Sequence, residues 1–213
     1  MIEGGIIMKK IFSYNADINK TAYLNWRMNA SDTAHNLAIM AESFSTAAFI
    51  MIDAILSDNS DKKADILIFP ILYSIDQAIE LHLKSILREL ESLANIEPSN
   101  YKTHDINSLF QNMLAQITRK EAQSADLKKY LQEIDEYIQE LYDHITGTKM
   151  TNPKLDFARY PIDTSGNDHF YISLDNTVVD VENLKERFKK MNDSLASIFA
   201  MYQNELEENS CPD

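Results

Sequence analysis

Residues 70–87 read PILYSIDQAIELHLKSIL, and their spacing decides the fold. Ile68, Leu72, Ile75, Ile79, Ile86, Leu90 and Leu93 recur at steps of three, four and seven. Only a helix brings that series onto one side. Leu67, Ile71, Ala78, Leu81 and Leu83 add apolar cover beyond the stripe, so this helix, expected over about 63–94, is buried on more than one face. Pro70 falls near its start and either kinks it or marks the first turn of its main part. Asp76, Glu80, Lys84 and Arg88 run down it at every fourth position, acid before base, the favourable order for pairing. Two readings of this file stand side by side. It is a solvated charged face, or it keeps Glu80 and Lys84 partly buried, where they orient a neighbouring group.

The same periodicity extends outward. Leu37, Ala41, Phe44, Ala48, Met51 and Ile55 define an earlier helix ended by Asp58-Asn59-Ser60. Ile106, Leu109, Phe110, Met113 and Ile117 define a short helix over about 105–118, capped by Asp105 or Thr103. Leu127, Leu131, Ile134, Ile138, Leu141 and Ile145 form a stripe over about 121–145, stopped by Gly147. Leu184, Phe188, Met191, Leu195, Ile198, Tyr202 and Leu206 form the last, over about 181–207, with Asp180 as its N-cap. The sequence therefore predicts an all-α protein: an up-down bundle of four long helices plus one short helix. Residues 148–179, with Pro153, Pro161 and the cluster Thr164-Ser165-Gly166-Asn167, are the long irregular connection before the last helix. Within it, residues 169–174 alternate as a short strand, pairing as a hairpin with 157–160. We expect an N-terminal extension at 1–16, one helical domain over 17–208 and a disordered tail at 209–213, with fraying from Glu205.

Composition narrows the function classes. At 213 residues and 45% hydrophobic, the chain can bury a substantial core. Four glycines leave no phosphate-cradling loop of the GxxxxGK or GxGxxG kind. A net charge of −13 weighs against a protein that coats nucleic acid, though it leaves room for a local basic cleft. The lone Cys211 makes no internal disulfide and lies where a positioned nucleophile is not expected. The apolar run ending at Met8 is too short for a secretory leader, and no uninterrupted apolar stretch approaches membrane length. These readings point to a cytoplasmic protein without a membrane partner.

Five histidines invite a metal test: His35, His82, His104, His144 and His169. A di-metal bundle needs Glu-x-x-His on two helices, which is not met, so no metal site or cofactor is expected, although His35, His82 and His144 lie on three separate long helices. Arg159-Tyr160-Pro161 combines a guanidinium fork with an aromatic ring, and His169 follows in the same connection. Arg binds phosphate and His moves protons, the two needs of metal-free RNA cleavage. Alternatively Arg159 pairs with a helix carboxylate such as Glu80 and anchors the connection. His104-Asp105 reads as a helix cap, or as part of a polar cluster with Glu80, Lys84 and Tyr160.

Taken together, Phe69-Pro70 leading into Ile79-Glu80-Leu81-His82-Leu83-Lys84, Thr103-His104-Asp105-Ile106 with Leu109, and Phe157-Ala158-Arg159-Tyr160-Pro161-Ile162-Asp163 resemble the HEPN superfamily (higher eukaryotes and prokaryotes nucleotide-binding domains) over about residues 30–205. The resemblance implies a helical bundle, often a homodimer, from prokaryotic toxin–antitoxin or phage-defence systems, meeting RNA, a nucleotide or a cognate antitoxin. Active members cut RNA without metal, using an Arg and a His a few residues apart in a cleft between protomers. Here seven residues separate Arg27 from His35 and nine separate Arg159 from His169, and no other Arg precedes a His more closely. The resemblance thus implies a degenerate or divergent ribonuclease, with Arg159 holding phosphate and His169 or His104 as general acid/base, or a member that only binds. Two rivals remain: a non-catalytic protein–protein interaction module, and a metal-binding helical bundle enzyme.

Overall fold

The computed structural model describes residues 9–99, 101–120, 124–147, 158–160, 162, 165–166 and 178–210. Five α-helices account for most of them: α1 (Thr33–Ser57), α2 (Ala64–Leu93), α3 (Ile106–Lys120), α4 (Ala125–Gly147) and α5 (Val181–Ser210). The described residues contain no strand; the expected hairpin partner at 169–174 lies outside them. The chain is all-helical, as the periodicity requires.

Local chemistry sets the helix ends. Asp32 caps α1 by accepting from the His35 amide at 2.8 Å. Asp105, rather than Thr103, caps α3: its Oδ1 accepts from the Asn107 and Ser108 amides, while Thr103 Oγ1 accepts from the Asp105 amide. Ser124 accepts from the Leu127 amide to begin α4, and Asp180 accepts from the Glu182 and Asn183 amides to begin α5. Asn95 takes a left-handed conformation (φ 51°) after α2, and the Ile96 amide returns to the Glu91 carbonyl, closing the helix. Pro70 lies inside α2 without interrupting it. The bond it cannot donate belongs to the Ile66 carbonyl, and Ile66 is exposed, so water can replace the lost donor. α5 runs on to Ser210, past the fraying expected from Glu205; Lys120 of α3 pairs with Glu205 and holds that end.

α2 is the central element. It packs against α1, α3 and α5, whereas among the described elements α4 meets α5 and α3. Ile71, Ile75, Ile79, Leu83, Ile86 and Leu87 are almost wholly removed from water on its several faces. Burying each such side chain is worth about 1.5–3 kcal/mol, which is how a helix carrying many charges stays internal. On α1 the deepest positions are Ala41, Ser45, Ala48, Ile52 and Ile55, with Leu37, Phe44 and Met51 of the expected seam only partly covered. Small side chains at 41, 45 and 48 allow the neighbouring axis to come close. Phe110 of α3 and Phe188 of α5 fill the interior, and Phe49 of α1 lies 5.0 Å from Phe188.

Ile79→Ala is expected to lower stability by about 2–5 kcal/mol, and Ile66→Ala, on the exposed first turn, by less than about 0.5 kcal/mol, read from urea midpoints at constant slope.

Candidate functional site

The polar residues of α2 do not share one fate. Glu80 is only 3% exposed, yet its Oε1 accepts from Lys84 Nζ at 2.7 Å. The same carboxylate meets His104 Nδ1 at 3.0 and 3.1 Å, just ahead of α3. A carboxylate only accepts here, so Nδ1 carries the hydrogen. The His104 side chain is 65% exposed, and Nε2 has no partner among the described residues. A buried carboxylate thus fixes the tautomer and orientation of an exposed imidazole, with an ammonium beside them. Such a group can accept a proton at Nε2 or donate to an anion.

One helical stretch further on, Glu91 organises the loop that returns from α2 to His104. It accepts from the Tyr101 hydroxyl at 2.5 Å, from the Ser99 amide at 3.2 Å and from Arg88 at 3.3 Å. Arg88 also covers the Tyr101 ring at 5.6 Å. Burial and the neighbouring Glu91 carboxylate push the Tyr101 phenol up to about 12, so it stays a donor. The fourfold charge file therefore splits: Glu80 takes Lys84, and Arg88 turns to Glu91 instead of continuing the ladder.

Arg159 is on the surface, but it is not paired with Glu80. Its guanidinium lies 5.3 Å from the Tyr73 ring centroid and 5.1 Å from that of Tyr160, and donates to the Tyr160 hydroxyl at 3.3 Å. Tyr73 is steadied edge-on by Phe44 of α1 at 6.3 Å. Tyr73 and Glu80 are seven residues apart, two turns along one face, or about 10 Å. The structure brings Glu80, Lys84 and His104 together, sets Asp105 beside them as the α3 cap, and holds Arg159 and Tyr160 further up α2. His169 and Pro161 lie outside the described residues.

Sequence reasoning missed Glu91 and Tyr101, and it missed Tyr73 as the seat for Arg159. Only the Arg88–Glu91 pair, at i,i+3, has a short-range spacing to betray it; the Tyr101, Ser99 and Arg159 contacts have none. No three His, Cys, Asp or Glu side chains converge to hold a metal among the described residues. A cleft of about 340 Å³ between α4 and α5 is lined by Glu133, Tyr137, Asn183, Glu186, Arg187 and Lys190. Three of its charges are already engaged: Glu133 takes Ser194 and Lys190, and Arg187 takes Glu140.

No family model, no curated protein and no solved structure matches this chain.

Two further ionisable groups of α2 respond to pH in opposite senses. Burial holds the His82 imidazole down at about 4 rather than 6.5, and its Nδ1 finds no partner among the described residues. Burial, with Asp32 and Glu207 nearby, pushes the Glu89 carboxyl up from 4.5 to about 7, against a smaller pull from His35. The neutral folded His82 contributes stability above 6.5 that is lost as pH falls through about 4. The protonated folded Glu89 contributes stability below 4.5 that is lost as pH rises through about 7. The two slopes oppose each other across the shared window. Glu89→Gln is expected to leave stability rising with pH there, and His82→Gln to leave it falling, each by roughly 1–3 kcal/mol. Urea midpoints across that window check both; parallel profiles for the two variants contradict the assignment.

Proposed function

We propose that this chain is a HEPN-like protein that binds RNA or a nucleotide, with two copies forming the binding cleft. The supporting observation is the use of a carboxylate as buried as Glu80 to hold a side chain as exposed as His104. Loop anchoring is already served by Glu91, Tyr101 and Ser99, so presentation of an imidazole to a ligand accounts better for the second clamp. Lys84 and Arg159 supply positive charge near the same face of α2 in an acidic protein, and Tyr73 and Tyr160 supply aromatic surface. The anchors of His104 and Arg159 are about 10 Å apart, which suits a grip on successive positions of a strand. In-line cleavage of one phosphate needs both groups on it, and His169 or a group of the second copy is then required. Binding is therefore the primary reading, and divergent metal-independent cleavage the lesser one.

The reading takes α1, α2, α4 and α5 as an up-down bundle: Arg187 and Ser194 of α5 meet Glu140 and Glu133 of α4 in reverse order, as antiparallel neighbours do. It also takes the protein as cytoplasmic. α1 and α2 are long and apolar enough to cross a membrane by hydropathy, a length that uninterrupted runs in the sequence do not reveal. Asp76 and Glu80 fall within that apolar stretch of α2 and would be costly inside a bilayer, which favours α2 as a core helix. A second reading, an interaction module for a cognate antitoxin or other protein, is favoured by the large apolar side chains left exposed on residues 11–28.

Fluorescence anisotropy with single-stranded RNA and with mononucleotides, in chelator, tests the proposal. Binding that weakens steeply with salt is expected, and His104→Ala and Arg159→Ala are each expected to raise Kd about tenfold, or about 1.4 kcal/mol. Absence of binding at low salt, or unchanged affinity in both variants, contradicts it.

A further inference from the structure

Among the described side chains, His104 is the one imidazole presented to water with its far nitrogen unpartnered. His82 is 5% exposed and interior, and His35 turns Nε2 to the Arg27 carbonyl at 3.1 Å. The His104 side chain is 65% exposed, while the buried Glu80 accepts its Nδ1 hydrogen. The lone pair of the neutral ring therefore sits on Nε2, on the side away from the clamp. Lys84 meets the same carboxylate oxygen at 2.7 Å, so the charge of Glu80 is matched before any anion approaches.

Acid–base work on a bound substrate calls for a second group across the reacting atoms. Here Lys84 is committed to Glu80, and Arg159 stands about 10 Å along α2. A nucleophile has a smaller requirement: an accessible lone pair, a fixed tautomer and a counter-charge for the cation it becomes. His104 has all three. The four glycines of the chain form no loop that would cradle a nucleoside triphosphate, so an activated group has to arrive on another molecule.

We propose that His104 Nε2 is a phosphoryl-acceptor site, filled from an acyl phosphate or an N-phosphoimidazole delivered by another molecule. In the transfer, the Nε2 lone pair attacks phosphorus, and the bond from phosphorus to the donor oxygen or nitrogen breaks. The electron pair of that bond leaves with the donor, as a carboxylate or a neutral imidazole. The product carries phosphorus on Nε2 and keeps its hydrogen on Nδ1, so the ring becomes cationic. Glu80 faces that cation at 3.0 Å, and the charge-assisted contact is stronger than the neutral one it replaces. Its burial strengthens the gain, because little water screens the pair. α3 starts at Ile106, so the positive pole of a 15-residue helix lies next to the ring. The Asp105 carboxylate between them is occupied by the Asn107 and Ser108 donors. The site uses the imidazole of the reading above but needs neither RNA nor a second copy.

The test incubates the full chain with phosphoramidate and, separately, with acetyl phosphate, followed by intact mass, peptide mapping and phosphorus-31 NMR. One phosphoryl group per chain is expected on His104, entering about tenfold faster than on any other histidine or on His104 of the chain unfolded in urea. It is expected on Nε2 rather than Nδ1, and to be lost in acid but kept in alkali, as an N–P bond is. Uptake from phosphoramidate alone assigns a nitrogen-borne donor; uptake from acetyl phosphate alone assigns an acyl phosphate. His104→Ala, at an exposed position, is expected to abolish the modification with unchanged helical circular dichroism. Glu80→Gln is expected to slow uptake about tenfold and to admit the Nδ1 isomer, a readout that loss of packing alone does not produce. The ratio of isomers in the wild type tests the tautomer without any variant. No uptake from either donor, a rate no greater than in urea, or phosphorus on Nδ1 of the folded wild type overturns the proposal. Phosphoryl uptake by a chain that binds no RNA defeats the ligand reading and spares this one; RNA binding by a chain that takes no phosphoryl group does the opposite.

Discussion

The carboxylate of Glu80, removed from water and shared between Lys84 and His104, is the constraint around which this molecule is arranged. A buried charge is tolerated only when its partners are fixed, and removing one partner of such a set typically costs about 3–5 kcal/mol. Holding those partners requires that α2 be internal, that α3 begin where it does, and that the loop between them return toward the middle of α2. The Asp105 cap and the Glu91–Tyr101 contact enforce the last two conditions. The site is thus a consequence of packing a charged helix at the centre of an apolar interior.

α2 solves the problem of its own charges in three ways. Glu80 and Glu91 are satisfied by specific donors. Glu89 and His82 are shifted toward their neutral forms by burial, in opposite directions on the pH scale. Arg88 keeps contact with both a carboxylate and the Tyr101 ring. Each device allows apolar packing on several sides of the same helix, which a solvated charge file would have prevented.

Much of this was legible in sequence because it depends on short-range spacing. The 3.5-residue seams locate all five helices, Asp180 announces the start of α5, and the i,i+4 relation pairs Glu80 with Lys84. What spacing could not show depends on long-range approach. Arg159 chose the face of Tyr73 over a carboxylate, and Glu91 gathered Ser99 and Tyr101 from a loop of no particular periodicity. Small residues at 41, 45 and 48 rotated the buried face of α1 away from its larger hydrophobes, because close helix approach outweighed side-chain size there.

The imidazole of His104 is ordered by an interior carboxylate and directed outward. Nitrogen-15 NMR of the His104 ring at a pH where it is neutral tests it directly. The account requires the tautomer with hydrogen on Nδ1 in the wild type, and its loss in Glu80→Gln. A ring that populates the Nε2–H form in the wild type, or one whose spectrum is the same in both proteins, contradicts it.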